Sequence, residues 1–123
     1  MAPRILVVDD LAFMRDAIRS VLIEYGFEVA GEAENGRVAV KRYRQLKPDV
    51  VILDITMPVM DGISALRMIR KRDPAAKVIM CSALGQQEYL IRAIHHGARD
   101  FIAKPFRPER IVSAVRKAMR IRE

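Results

Sequence analysis

With a single cysteine, Cys81, the 123-residue chain can form no disulfide framework of its own. Cys81 lies within the apolar run Val78-Ile79-Met80-Cys81, where a thiol reads as a small buried hydrophobe and not as a reactive group. No apolar run approaches about 18 residues, which excludes a membrane-crossing helix. The short apolar stretch after Met1-Ala2-Pro3-Arg4 runs into two aspartates and lacks a signal-peptide pattern, so a cytoplasmic location without membrane insertion is expected. Linkers, low-complexity tracts and internal repeats are missing too, so residues 1–123 are expected to form one domain with no output or DNA-binding module. The pI near 10.1 invites a nucleic-acid reading, yet no aromatic platform or recognition helix accompanies it.

What is present is an uneven charge distribution and a regular alternation of apolar runs. Residues 1–62 hold 8 Lys and Arg against 10 Asp and Glu, whereas residues 63–123 hold 14 against 5. The formal +7 therefore belongs to the second half, as an interaction surface or a solvated face. Strands are expected at Arg4 to Val8, Phe27 to Glu32, Val50 to Leu53, Lys77 to Ser82 and Asp100 to Ala103. Helices are expected at Leu11 to Tyr25, from the cap Asn35 to about Leu46, at Ile63 to Arg72, Gln86 to His96, and Pro108 to about Arg120. In the first helix Ala12, Phe13, Ala17, Ile18, Val21 and Leu22 form the expected apolar stripe. Strand-helix alternation predicts an α/β class, a doubly wound (βα)5 flavodoxin-like domain with parallel sheet order 2-1-3-4-5. That order sets the first and third strands side by side.

The organising stretch is Val50-Val51-Ile52-Leu53-Asp54, four aliphatic residues without polar alternation and then a bare carboxylate. The aliphatics read as a strand buried on both faces, and the acid is expected at its carboxyl end, open to a crevice. Asp9 and Asp10, Ser82 and Lys104 end three other strands. Three carboxylates this close raise one another's pKa unless a hard cation neutralises them, which predicts Mg²⁺ or Mn²⁺, with the Thr56 carbonyl as a further ligand. Magnesium keeps few carboxylates and favours a phosphate oxygen, so a phosphoryl group is the expected missing ligand. Lys104 then serves as a point charge on the phosphoryl group, Ser82 as a hydroxyl donor, and Asp54 as a nucleophile forming an acyl phosphate. Each piece alone has a plainer reading: aspartates that cap a helix, a solvated turn lysine, a capping serine. Their coincidence at four strand ends favours chemistry.

Leu6-Val7-Val8-Asp9-Asp10, Asp54-Ile55-Thr56-Met57-Pro58 with Met60-Asp61-Gly62, Ser82-Ala83 and Lys104-Pro105-Phe106 resemble, in order and across nearly the whole chain, the receiver domain of two-component response regulators. The resemblance implies that Asp54 is the phosphoacceptor, that Asp9, Asp10, Asp54 and the Thr56 carbonyl surround Mg²⁺, that Lys104 contacts the phosphoryl group, and that Lys104-Pro105 is cis. It also implies a histidine kinase as phosphodonor and a signalling role, the only catalysis being the domain's own phosphorylation and slow dephosphorylation. Ala12-Phe13-Met14-Arg15, Cys81 through Gln87 and Gly97 through Ile102 are similar, more narrowly, to the stand-alone chemotaxis regulators. Phe101 stands where that group commonly has tyrosine. Leu84, two residues after Ser82, brings no polar group to a hydrolytic water, so slow self-dephosphorylation and a separate phosphatase are expected.

Phosphorylation is expected to draw the Ser82 hydroxyl inward and vacate space for Phe101 to rotate into. The partner surface should follow from the fourth helix, fifth strand and fifth helix, where Arg92, Arg99, Phe101, Arg107 and Arg110 lead a basic set that continues through Arg116, Lys117, Arg120 and Arg122. By resemblance its target is a short acidic, amphipathic segment of the flagellar motor switch protein, met by a monomer. The alternative within the family is a stand-alone receiver in a phosphorelay or other regulatory pathway. His95-His96 read as a helix terminus and not a ligand pair, since adjacent helical residues point apart. A metal-dependent phosphatase is disfavoured because Thr56 stands where a second acid would be, and an FMN binder because Asp9-Asp10 repels phosphate without a cation.

Overall fold

Val50 to Leu53 have no side that tolerates water, and the chain buries them completely in the centre of a five-stranded parallel sheet. The computed structural model describes residues 2–83 and 85–120. Along the chain the elements are β1 (Arg4–Val8), α1 (Ala12–Glu24), β2 (Glu28–Ala33), α2 (Gly36–Leu46), β3 (Val50–Asp54), α3 (Gly62–Arg72), β4 (Val78–Ser82), α4 (Gln87–His95), β5 (Asp100–Ala103) and α5 (Pro108–Met119). The sheet order is β2-β1-β3-β4-β5, as the alternation predicted, and element ends differ from expectation by one residue or so.

The two-residue period of the strands sorts the core onto two faces. Leu6, Val8, Val51, Leu53, Val78 and Met80 pack with Ala39, Leu66, Ile69 and Ala93 of α2, α3 and α4. Ile5, Val7, Val50, Ile52, Ile79 and Ile102 pack with Ile18 and Leu22 of α1 and Ile111 and Val115 of α5. Cys81 belongs to this second layer, where burial pushes its thiol up to about 12, so it is inert filler as expected. At about 1.5–3 kcal/mol for each fully buried aliphatic side chain, these layers are what hold the sheet rigid.

The α1 stripe is narrower than expected. Ile18 and Leu22 are buried, with Met14 and Val21 packed beside them, a spacing that follows a single helix face. Ala12, Phe13 and Ala17 lie off that face, and Phe13 is 65% exposed.

Local caps set where the helices begin. Asn35 Oδ1 accepts the Val38 N–H at 2.9 Å for α2, Asp61 Oδ1 accepts the Ser64 N–H at 2.7 Å for α3, and Pro108 opens α5. Gly62 matters more than its neighbours. Its N–H donates to the Ile55 carbonyl at 2.7 Å, and a Cβ there would collide with the Asp54 carbonyl oxygen. The Met60-Asp61-Gly62 turn thus lies directly on the end of β3. At an ordinary first helical position Ala is favoured over Gly by up to about 1 kcal/mol. Here Gly62→Ala is expected to act in the opposite direction, lowering stability by about 3 kcal/mol in urea unfolding through overpacking against Asp54.

Candidate functional site

Because all five strands are parallel, their carboxyl ends share one edge, and the β1/β3 junction is where the crossovers diverge to opposite faces. Asp54 ends β3 there, Asp9 and Asp10 follow β1, Ser82 ends β4, and Lys104 follows β5. Asp9, Asp10 and Asp54 each bring a carboxylate oxygen within 4.8 Å of the others. Lys104 Nζ reaches Asp9 Oδ2 at 3.0 Å and Asp54 Oδ1 at 3.1 Å across 95 and 50 residues of chain. The Lys104-Pro105 peptide is cis, as the resemblance implied.

One aspect differs from the sequence reading, the openness of the crevice at Asp54. Asp54 is 6% exposed and Asp9 1%, whereas Asp10 is exposed. Ser82, at 2% exposure, is also buried, and its carbonyl accepts the Lys104 N–H at 2.7 Å, tying the ends of β4 and β5 together. Asp9 is fixed three ways: Oδ1 accepts the Leu11 N–H at 2.9 Å, Oδ2 takes Lys104, and the backbone carbonyl takes Arg15 Nη1 at 2.7 Å.

Burial raises the Asp54 carboxyl from 3.8 to about 6; Lys104 pulls it down, while Asp9 and Asp10 push it further up. For Lys104, burial works against the charged form, yet the bonds to Asp9 and Asp54 prevail and hold the ammonium above its ordinary value. Three carboxylates facing one lysine leave an excess of negative charge on oxygen donors alone, and that donor set suits a hard divalent cation.

Gln86 escaped the sequence reading. Its Nε2 donates to Thr56 Oγ1 at 2.7 Å and its Oε1 accepts the Ala83 N–H at 2.7 Å, so one amide joins the loops after β3 and β4. Nothing in the sequence set Gln86 apart from Gln87. Thr56 was noticed for its carbonyl, whereas the structure gives its hydroxyl this second role.

On the α4, β5 and α5 side, Phe101 is 40% exposed, and Arg92, Arg99 and Arg107 are exposed, with the Arg92 guanidinium 5.8 Å from the Tyr89 ring. Arg110 pairs with Asp100 at 2.9 Å and donates to the Phe101 carbonyl at 2.6 Å, so it braces β5 while staying partly exposed. The burial of Asp100 is outweighed by Arg110, which holds its carboxyl below the usual range. The rings of His95 and His96 meet edge to face at 5.7 Å and do not point apart, because His96 has already left helical geometry at the C-cap. The expectations for Leu84 and Arg122 fall outside the described residues. No helix among the described residues is long and apolar enough to cross a membrane.

Comparison with known proteins gives one consistent answer. The family description "Response regulator receiver domain" matches residues 5–116. The chain is 56% identical over 117 residues to the chemotaxis protein CheY of Thermotoga maritima, covering 95% of this chain and 98% of that one. Among solved structures, the response regulator domain of Thermotoga maritima CheB superposes with a TM-score of 0.92 at 36% identity over 100% of both chains. The CheX-CheY-BeF3-Mg complex of Borrelia burgdorferi gives 0.91 at 35% identity, covering 96% of this chain and 90% of that one.

The raised Asp54 carboxyl has a consequence for stability. Between its unfolded value near 3.8 and its native value near 6, the folded state binds more protons, so stability falls as pH rises through that window and the cost persists above it. In metal-free buffer, Asp54→Asn is expected to raise stability at pH 7.5 by about 1–2 kcal/mol after allowance for solvent, and by almost nothing below pH 4. Urea midpoints for the two proteins across pH 4–8 measure this directly.

Proposed function

The chain belongs to the response regulator receiver domain family and is close to the chemotaxis CheY proteins; from that premise we propose that it is a phospho-accepting switch in which Asp54 takes a phosphoryl group from a histidine kinase. The observation that carries the reading is the position of Lys104 Nζ, within 3.1 Å of both Asp9 and Asp54 in a cluster that Asp10 completes. Asp9, Asp10, Asp54 and the Thr56 carbonyl would hold Mg²⁺, or Mn²⁺ in its place, which supplies positive charge to the oxygens of the transferring group.

An Asp54 carboxylate oxygen forms the new bond to phosphorus as the P–N bond of the kinase phosphohistidine breaks and the imidazole leaves with the electron pair. Lys104 is already desolvated and aimed at this carboxylate, so it can exchange one carboxylate partner for a phosphoryl oxygen without crossing the cleft. Ser82, at the end of the adjacent strand, donates its hydroxyl to another oxygen. Phe101 then turns toward the space that Ser82 leaves, which changes the face made by α4, β5 and α5. Exposure of Phe101, Arg92, Arg99 and Arg107 supports an acidic amphipathic partner there, the flagellar motor switch protein in the chemotaxis reading. A separate phosphatase of the CheX kind resets the signal, and the protein works as a cytoplasmic monomer.

Incubation with acetyl phosphate and Mg²⁺ is expected to add one phosphoryl mass by intact-protein mass spectrometry, and Asp54→Ala is expected to add none. Modification of the variant to the same extent would remove Asp54 from its role. Phe101→Ala is expected to keep the mass gain while the phosphorylated form binds an acidic motor-switch peptide at least about tenfold more weakly by fluorescence polarisation. Unchanged peptide binding would exclude the gate, and capture of relay histidine proteins in its place would favour the phosphorelay.

A further inference from the structure

A second charged concavity lies at the other end of α3. Arg67, Arg70 and Lys71 stand at i, i+3 and i+4, so three cations share one face of the helix. They line a shallow, open cleft of about 450 Å³ together with His95, His96 and Gly97 from the end of α4. No carboxylate lines it, and among the described residues none of the three cations forms an ion pair. Helix C-termini attract cations singly, which accounts for Arg70 and Lys71 in the last turn of α3. It does not account for stacking like charges on one face, where they repel, or for adding two imidazoles opposite.

The geometry also holds Arg70 ready. Its Nη1 donates to the carbonyls of Pro74 and Ala76, neutral partners that fix the guanidinium and leave its charge uncompensated. Gly97, at φ +95°, closes α4 in the left-handed backbone that favours glycine, and it lies against that guanidinium, so that any Cβ would come within 2.5–2.8 Å of it. Partial burial, with the charges of Arg67, His95 and Arg92 added to it, pushes His96 below its ordinary value.

We infer that this cleft binds a small anion carrying linked phosphates, either inorganic polyphosphate or the phosphate end of a nucleotide. Two arginine forks and a lysine spread over about 6 Å of helix axis match a chain of phosphates better than a single oxyanion. From Gly62 against Asp54 to Lys71 the helix runs about 14 Å, so the cleft is separate from the carboxylate cluster.

Titration of ¹⁵N-labelled protein with sodium tripolyphosphate, in EDTA and low salt, is expected to give saturable shifts at the amides of His95, His96 and Gly97. By calorimetry Arg67→Gln/Lys71→Gln is expected to weaken binding at least about tenfold. Arg44→Gln/Lys47→Gln, at the end of α2, is expected to leave it unchanged. Both pairs are exposed, and Arg67→Gln alone carries the same test if the double variant does not fold. Equal affinity for tripolyphosphate and ATP would assign the site to the phosphate chain, and tighter ATP would assign it to a nucleotide. Absence of saturable shifts at Gly97, or equal weakening by both double variants, would overturn the inference.

Discussion

The carboxylate cluster at the sheet edge depends on one ammonium group that two aspartates share. Lys104 neutralises part of a three-carboxylate cluster, and it does so from the end of β5 while its partners end β1 and β3. A surface ion pair of this kind would be worth little. Here Asp9 and Asp54 are almost out of solvent, so removing Lys104 would strand buried negative charge with nothing to oppose it. The cluster remains short of positive charge even with Lys104 in place, and this deficit of charge on oxygen donors sets it apart from an ordinary sheet edge.

The sheet supplies the precision. Two apolar layers clamp β1 and β3 from opposite sides, and the β3–α3 turn rests on Asp54 through Gly62. Hydrogen bonds from Leu11, Arg15 and Lys104 then fix Asp9 at both its side chain and its carbonyl. Asp54 is held by packing and by Lys104, and Asp9 by hydrogen bonds, whereas Asp10 stands exposed beside them.

Much of this was legible in the sequence because buried parallel strands have a loud signal: Val50 to Leu53 admits no other reading, and an aspartate directly after it must lie at a strand end. The order of the sheet and the gathering of Asp9, Asp10, Asp54, Ser82 and Lys104 followed from connection rules. What was not legible depended on side-chain direction. Phe13 is apolar yet points away from the α1 stripe, and Arg110 is basic yet paired with Asp100. Gln86 carries no pattern at all, since an amide that bridges two loops looks in sequence like any helix-start glutamine.

That amide bridge constrains how the two rims of the cleft behave. α4 has no side chain capping its first turn, so Gln86 anchors the helix start by gripping Thr56 and Ala83. Thr56 is two residues from Asp54 and Gln86 one residue ahead of α4. Rearrangement at the acid therefore cannot stay private: either the glutamine follows the threonine and drags the helix start along, or it lets go and the helix start loses its mooring.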